Sequence, residues 1–263
     1  EWAKTRPAPL RLPELTEKLA EIAYEKEAYI EALAYFSWLA LECEDPEYRE
    51  KGLLGQGWAQ YELGRIEEAG GTFGRVVDQG VNPSRGAEAA LARGRILARE
   101  QQEDAALAMF DLVVERYPKT PAVPEALLES ARILARLRQF DAALKTYSRI
   151  VEEFPQFEKT DAACYERAWV LYDTNRRDEA YAAFEQVYKE HRNGKVWADA
   201  TYRLARQALE QGDAKTAERL TEELLAHSSG SPDADDALAL RWRLEAARQD
   251  WRAVDAAAAR LLA

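Results

Sequence analysis

Apolar residues recur three and four positions apart along most of this chain. The stretch "EALLESARILARLRQFDAALKTYSRIV" at 125–151 is representative. That spacing places apolar side chains on one stripe of a helix and leaves charged ones on the opposite face. No segment alternates convincingly with the period of two that a half-buried strand requires. The pattern therefore predicts an all-α chain of amphipathic helices.

A longer period is superimposed on the helical one. Ala32, Ala69, Ala106, Ala143, Ala180 and Ala217 are spaced 37 residues apart. Four positions after each of the first five stands an aromatic residue: Phe36, Phe73, Phe110, Tyr147 and Phe184. Thr221 replaces the aromatic in the sixth unit, and Val254 with Ala258 continues the phase in degraded form in a seventh. Twelve residues before each anchor the side chain is small, at Ala20, Gly57, Gly94, Ala131, Ala168 and Ala205, and only Trp242 breaks the register. A period in this range marks an array of supersecondary units that bury their apolar faces on one another. The expected reading is two antiparallel helices per unit, approaching closely at the small residues, with the aromatic filling the space between neighbouring hairpins.

The same register accounts for part of an odd stretch, "LGRIEEAGGTFGRVV" at 63–77, which carries four glycines. Gly64 falls where the first helix ends and the chain turns, a place that favours the left-handed conformation, and Asn175 and Gly212 fall in equivalent turns. Gly70, Gly71 and Gly74 have no role in the spacing, and each costs up to about 1 kcal/mol relative to alanine inside a helix. The second helix of this unit is expected to be the least stable. Asp45-Pro46, Asn82-Pro83, Thr120-Pro121 and Ser231-Pro232 each place a capping side chain before a proline suited to the first helical turn.

On these residues the chain resembles the tetratricopeptide repeat proteins. The motif is matched in "GQGWAQYELGRIEEAGGTF", "ARGRILAREQQEDAALAMF", "ESARILARLRQFDAALKTY" and "ERAWVLYDTNRRDEAYAAF". The family's common unit has about 34 residues, and the longer unit here is similar to repeats of bacterial cell-envelope proteins such as outer-membrane assembly lipoproteins and the Tol-Pal coordinating protein. The tryptophan that often opens the family's first helix is absent, replaced by Leu53, Ala90, Leu127, Cys164 and Thr201. The resemblance implies a right-handed superhelical solenoid of about seven helix-turn-helix repeats over 14–263, after an N-terminal extension at 1–13. The units fall at 14–47, 48–84, 85–121, 122–158, 159–195, 196–232 and 233–263.

In that family the first helices line the concave face and bind partner segments. Transferred by register, the groove consists of Leu54, Leu91, Leu128, Tyr165 and Tyr202 in one row. Tyr61 and Tyr172 belong to a second row, and Trp58, Arg95, Arg132, Trp169, Arg206 and Arg243 to a row between them. Arginine and large aromatics are enriched at binding hot spots, arginine for bidentate contact with carboxylates. The partner expected is a protein or peptide segment with apolar anchors and acidic side chains or a C-terminal carboxylate. The alternative is that these arginines pair with nearby glutamates and the leucines and tyrosines pack within the array.

Charge and composition narrow the field further. With 36 basic and 47 acidic side chains the formal net charge is -11, which repels a phosphate backbone and disfavours nucleic acid as a partner. No run approaches the roughly 18 apolar residues of a membrane span. Cys43 and Cys164 stand alone, outside any metal-ligand spacing, and read as small buried hydrophobes; His191 and His227 have no histidine partner at helical spacing. Glutamate pairs such as Glu67-Glu68 and Glu222-Glu223 sit on helix faces expected to be solvated, and "GLLGQG" lacks the spacing of a phosphate loop. No catalytic residue, metal site or cofactor is expected. The start at Glu1 and the end on "AARLLA" point to a processed protein or an excised piece of a longer one. The reading is a non-catalytic interaction scaffold, with a place in the bacterial envelope implied by the resemblance. A self-assembly module, or the regulatory arm of a multidomain protein, are the alternatives.

Overall fold

The computed structural model describes residues 12–227 and 233–247, with the side chains of 233–235 and 247 left aside. Thirteen α-helices account for nearly all of them. They are α1 (Leu12–Glu25), α2 (Tyr29–Glu42), α3 (Pro46–Glu62), α4 (Ile66–Gln79), α5 (Pro83–Arg99), α6 (Glu103–Arg116), α7 (Ala122–Arg136), α8 (Phe140–Glu153), α9 (Thr160–Asp173), α10 (Arg177–Glu190), α11 (Trp197–Glu210), α12 (Ala214–His227) and α13 (Asp233–Ala247). The helices fall into two compact bodies that part between Ile133 and Leu134, inside α7. In the first body each helix from α1 to α5 packs on the next, and α5 on α6; in the second, α8 to α13 do the same.

Every anchor alanine from Ala32 to Ala217 is buried, and Phe73, Phe110 and Phe184 are fully enclosed. The small-residue register has a sharper cause than close helix approach alone. A Cβ at Gly57 would lie 2.7 Å from the Phe73 ring, and one at Gly94 2.5 Å from Phe110, so each aromatic lies on the glycine of its own hairpin. The expectation that the aromatic fills space between hairpins holds at Phe36, whose ring would stand 2.3 Å from a Cβ at Gly55 in the following repeat. Thr221, in place of an aromatic, is buried and donates to the Ala217 carbonyl at 2.7 Å.

The turns inside the hairpins share one geometry. Gly64, Asn175 and Gly212 have positive φ as their position predicts, and so do Glu27, Gln101 and Arg138 at the same register. In each case the next residue's N–H reaches back to a carbonyl five residues earlier, as in Arg65 to Gln60 at 2.9 Å and Gln139 to Leu134 at 2.8 Å. This closes the helix in the manner of a Schellman turn, and the backbone imposes it even where the side chain disfavours it.

At the starts of repeats, Asp45 Oδ1 accepts the Glu47 N–H at 2.9 Å and Asn82 Oδ1 accepts from Ser84 and Arg85. Thr120 departs from the expected cap: its hydroxyl donates to the Tyr117 carbonyl at 2.9 Å. Ser231-Pro232 and the seventh-unit positions Val254 and Ala258 lie outside the described residues. Cys43 and Cys164 are free thiols, both buried, and burial pushes the Cys164 thiol up to about 11.

Two features have no counterpart in the periodic reading. Glu50 is fully buried; its carboxylate accepts the Arg85 Nε–H at 2.6 Å and the backbone N–H groups of Val81 and Asn82, clasping the link between α4 and α5. Trp197 is also fully buried at the start of α11, where its indole N–H donates to the Tyr188 carbonyl at 3.0 Å.

Candidate functional site

The first helices of the repeats carry the residues singled out by register. In the first body Trp58 and Tyr61, on α3, are half-buried, with ring centroids 5.9 Å apart in an edge-to-face contact. Trp58 also meets Phe73 edge-to-face at 5.1 Å, and its indole N–H donates to Glu88 Oε1 on α5 at 2.7 Å. The geometry repeats one unit on. Arg95, at the register of Trp58, donates to Glu125 at 2.6 Å and to Glu129 at 2.9 Å, both on α7. Trp58 to Glu88 and Arg95 to Glu125 each join a residue to one 30 positions later, so Glu88 and Glu125 form the other side of the ladder.

Two positions of the expected groove are enclosed. Leu91 is 9% exposed and Leu128 is 0% exposed; they pack inside the array, so of that row in the first body only Leu54 is partly accessible. Arg95 already holds two carboxylates of its own chain, and Arg132 Nη1 lies 4.0 Å from Glu129. The pairing of arginines with nearby glutamates, the alternative drawn from the sequence, is present in the first body.

In the second body Tyr165, Trp169 and Tyr172 form a continuous aromatic edge along α9, with centroids 6.2 and 5.6 Å apart. Phe184 supports Tyr165 and Trp169 from behind. Arg203 of α11, which the periodic reading passed over, places its guanidinium 4.4 Å from the Trp169 ring centroid and 5.7 Å from that of Tyr202. Arg177 lies 4.1 Å over Tyr172, and these are cation-π contacts. Arg206 is held by Glu210 at 2.9 Å within its own helix, and Arg243 is exposed on α13. Burial raises the Tyr165 phenol above its ordinary value, so that phenol keeps its proton at neutral pH.

A cavity of about 420 Å³ opens between the first two repeats, lined by Tyr24, Phe36, Gly55, Trp58, Glu62 and Glu88. Burial, then the nearby Glu62 carboxylate, push the Tyr24 phenol up to about 12. On the far side of the first hairpin Leu12, Leu15, Leu19 and Ile22 of α1 are exposed along one stripe. Among the described residues no helix is long and apolar enough to cross a membrane.

The tetratricopeptide repeat family model matches residues 54–121, 104–156 and 165–232. No curated protein sequence matches the chain. Among solved structures, the C-terminal part of a tetratricopeptide repeat-containing protein from Cytophaga hutchinsonii superposes with a TM-score of 0.71 at 17% identity, covering 94% of each chain. A tetratricopeptide repeat protein from Parabacteroides merdae follows with 0.60 at 13% identity, over 93% of this chain and 90% of that one. PilF of Pseudomonas aeruginosa gives 0.59 at 14% identity, over 82% and 91%. At these identities the likeness is one of fold.

Proposed function

We propose that this chain, which belongs to the tetratricopeptide repeat family, is a non-catalytic scaffold that binds a protein segment on the face carried by the first helices of its repeats. The observation that carries the reading is the half-buried aromatic edge of Tyr165, Trp169 and Tyr172, built on Phe184 and flanked by stacked arginines. Such an edge offers large rigid area at low entropic cost, with polar tips that hydrogen-bond a passing backbone. Trp58 and Tyr61 supply the same chemistry in the first body. The arginines contribute mainly by shaping these aromatic surfaces, because Arg95 and Arg206 are engaged with Glu125, Glu129 and Glu210. The 37-residue period, through its resemblance to repeats of bacterial cell-envelope proteins, supports a place in envelope assembly.

Affinity capture tests the reading by comparing the native chain with a Tyr61→Glu/Tyr172→Glu variant that keeps its helical circular dichroism. A protein retained by the native chain and lost by the variant is the expected result. Identical captured sets would place binding elsewhere.

A second reading, association through the first hairpin, is favoured by the exposed stripe of Leu12, Leu15, Leu19 and Ile22. An apolar stripe of that kind is suited to receive another helix. Light scattering decides it: a mass that rises with concentration supports association, and a monomer at high concentration removes it.

A further inference from the structure

We propose that the cavity between the first two repeats binds an organic cation, the side chain of an arginine or lysine carried by the bound segment. This rests on the scaffold reading and gives it a chemistry. Three of the six lining residues are aromatic (Tyr24, Phe36 and Trp58), two are carboxylates (Glu62 and Glu88), and none is cationic. An aromatic face beside a carboxylate is the arrangement that attracts ammonium and guanidinium groups. Trp58 is fixed for the purpose by the rings of Tyr61 and Phe73, and Glu88 is held at its edge by the 2.7 Å bond to the indole. Gly55 completes the wall, because a side chain there would meet Phe36 at 2.3 Å and displace the ring.

The chain itself supplies the template. One repeat on, the register of Trp58 holds Arg95, and the register of Glu88 holds Glu125, which binds that guanidinium at 2.6 Å. In the second body the register of Trp58 holds Trp169, whose ring is covered by Arg203 at 4.4 Å. The residue equivalent to Arg203 beside Trp58 is Ala92. The array therefore places a cation at this level twice from its own side chains. At Trp58 the described residues offer the aromatic ring and the carboxylate without one, and the place suits a cation of the bound segment.

The test titrates the full chain with n-propylguanidinium and n-butylammonium chlorides, and with neutral n-propylurea as control. Ionic strength is held constant, and the indole N–H resonance of Trp58, assigned with Trp58→Phe, is followed by NMR. Both cations are expected to shift that resonance saturably and propylurea is not. Tighter binding of the guanidinium would identify arginine as the natural side chain, and tighter binding of the ammonium would identify lysine. Glu88→Gln and Glu62→Gln change exposed carboxylates and each should weaken binding at least tenfold with helicity unchanged. An equal response to propylurea, no saturable shift with either cation, or full affinity in both variants would overturn the proposal. Protein capture that depends on Tyr172 while the cations leave Trp58 unmoved would sink the cation site alone and leave the scaffold reading standing.

Discussion

Arg95 bridges two carboxylates of the following repeat, Glu125 at 2.6 Å and Glu129 at 2.9 Å. The guanidinium side chain is 42% exposed, so water screens much of the attraction and the pair holds register more than it adds stability. Arg95→Gln should lower unfolding free energy by less than about 1 kcal/mol, measured by urea denaturation. A loss above about 3 kcal/mol would show that the ladder is a main support of the array.

Glu50 presents the opposite case. Its carboxylate is fully buried against Arg85 and two backbone N–H groups. Removing one partner leaves a desolvated guanidinium and unpaired amides, so Glu50→Ala should cost about 3–5 kcal/mol. A change below about 1 kcal/mol in the same denaturation experiment would mean that water replaces the carboxylate without loss.

Arg138 and Gln101 hold the left-handed conformation that glycine holds at Gly64 and Gly212. That conformation costs a side-chain-bearing residue about 1–2 kcal/mol. Arg138→Gly and Gln101→Gly should therefore raise the thermal midpoint, and Gly64→Ala should lower it. Opposite signs would show that contacts of these side chains outweigh the backbone preference.

Alkaline pH should destabilise the fold. Burial lifts Cys164 from 9.0 to about 11, and burial with Glu62 lifts Tyr24 from 10.0 to about 12. Both groups keep their protons longer in the folded chain, so the unfolded chain binds fewer protons across this window. Stability is fully present below about pH 9 and falls as pH rises through 9–12. Cys164→Ala should flatten the 9–11 part of the profile measured by thermal melts. An unchanged slope would assign the loss to other groups.

Much of this architecture was legible in the sequence because a solenoid repeats its constraints. The anchor alanines, the aromatics four residues on and the small residues before them are each fixed by contacts that recur every 37 residues. Turn glycines were legible at Gly64 and Gly212, but Glu27, Gln101 and Arg138 adopt the same φ against preference, because the closing hydrogen bonds decide it. The candidate face was only partly legible. Leu54 and Leu128 share a register, yet one is half-exposed and the other enclosed, since register fixes a side chain's place on its helix and not what covers it. Glu50 and Arg203 gave no signal, because neither residue type recurs at its register with the same contact. Glu88 and Glu125 did recur, and a search for carboxylates 30 residues after the Trp/Arg register would have found them.

The measurement that bears most directly on the scaffold reading is site-specific photo-crosslinking in the source cell, with p-benzoylphenylalanine placed in turn at Tyr61, Tyr172 and Tyr202 and, on the second helices, at Arg149 and Glu185. Adducts to the same partner from the first-helix positions, with none from the second-helix positions, are the predicted result. Adducts confined to Arg149 and Glu185 would contradict it and move the binding face to the other side of the repeats.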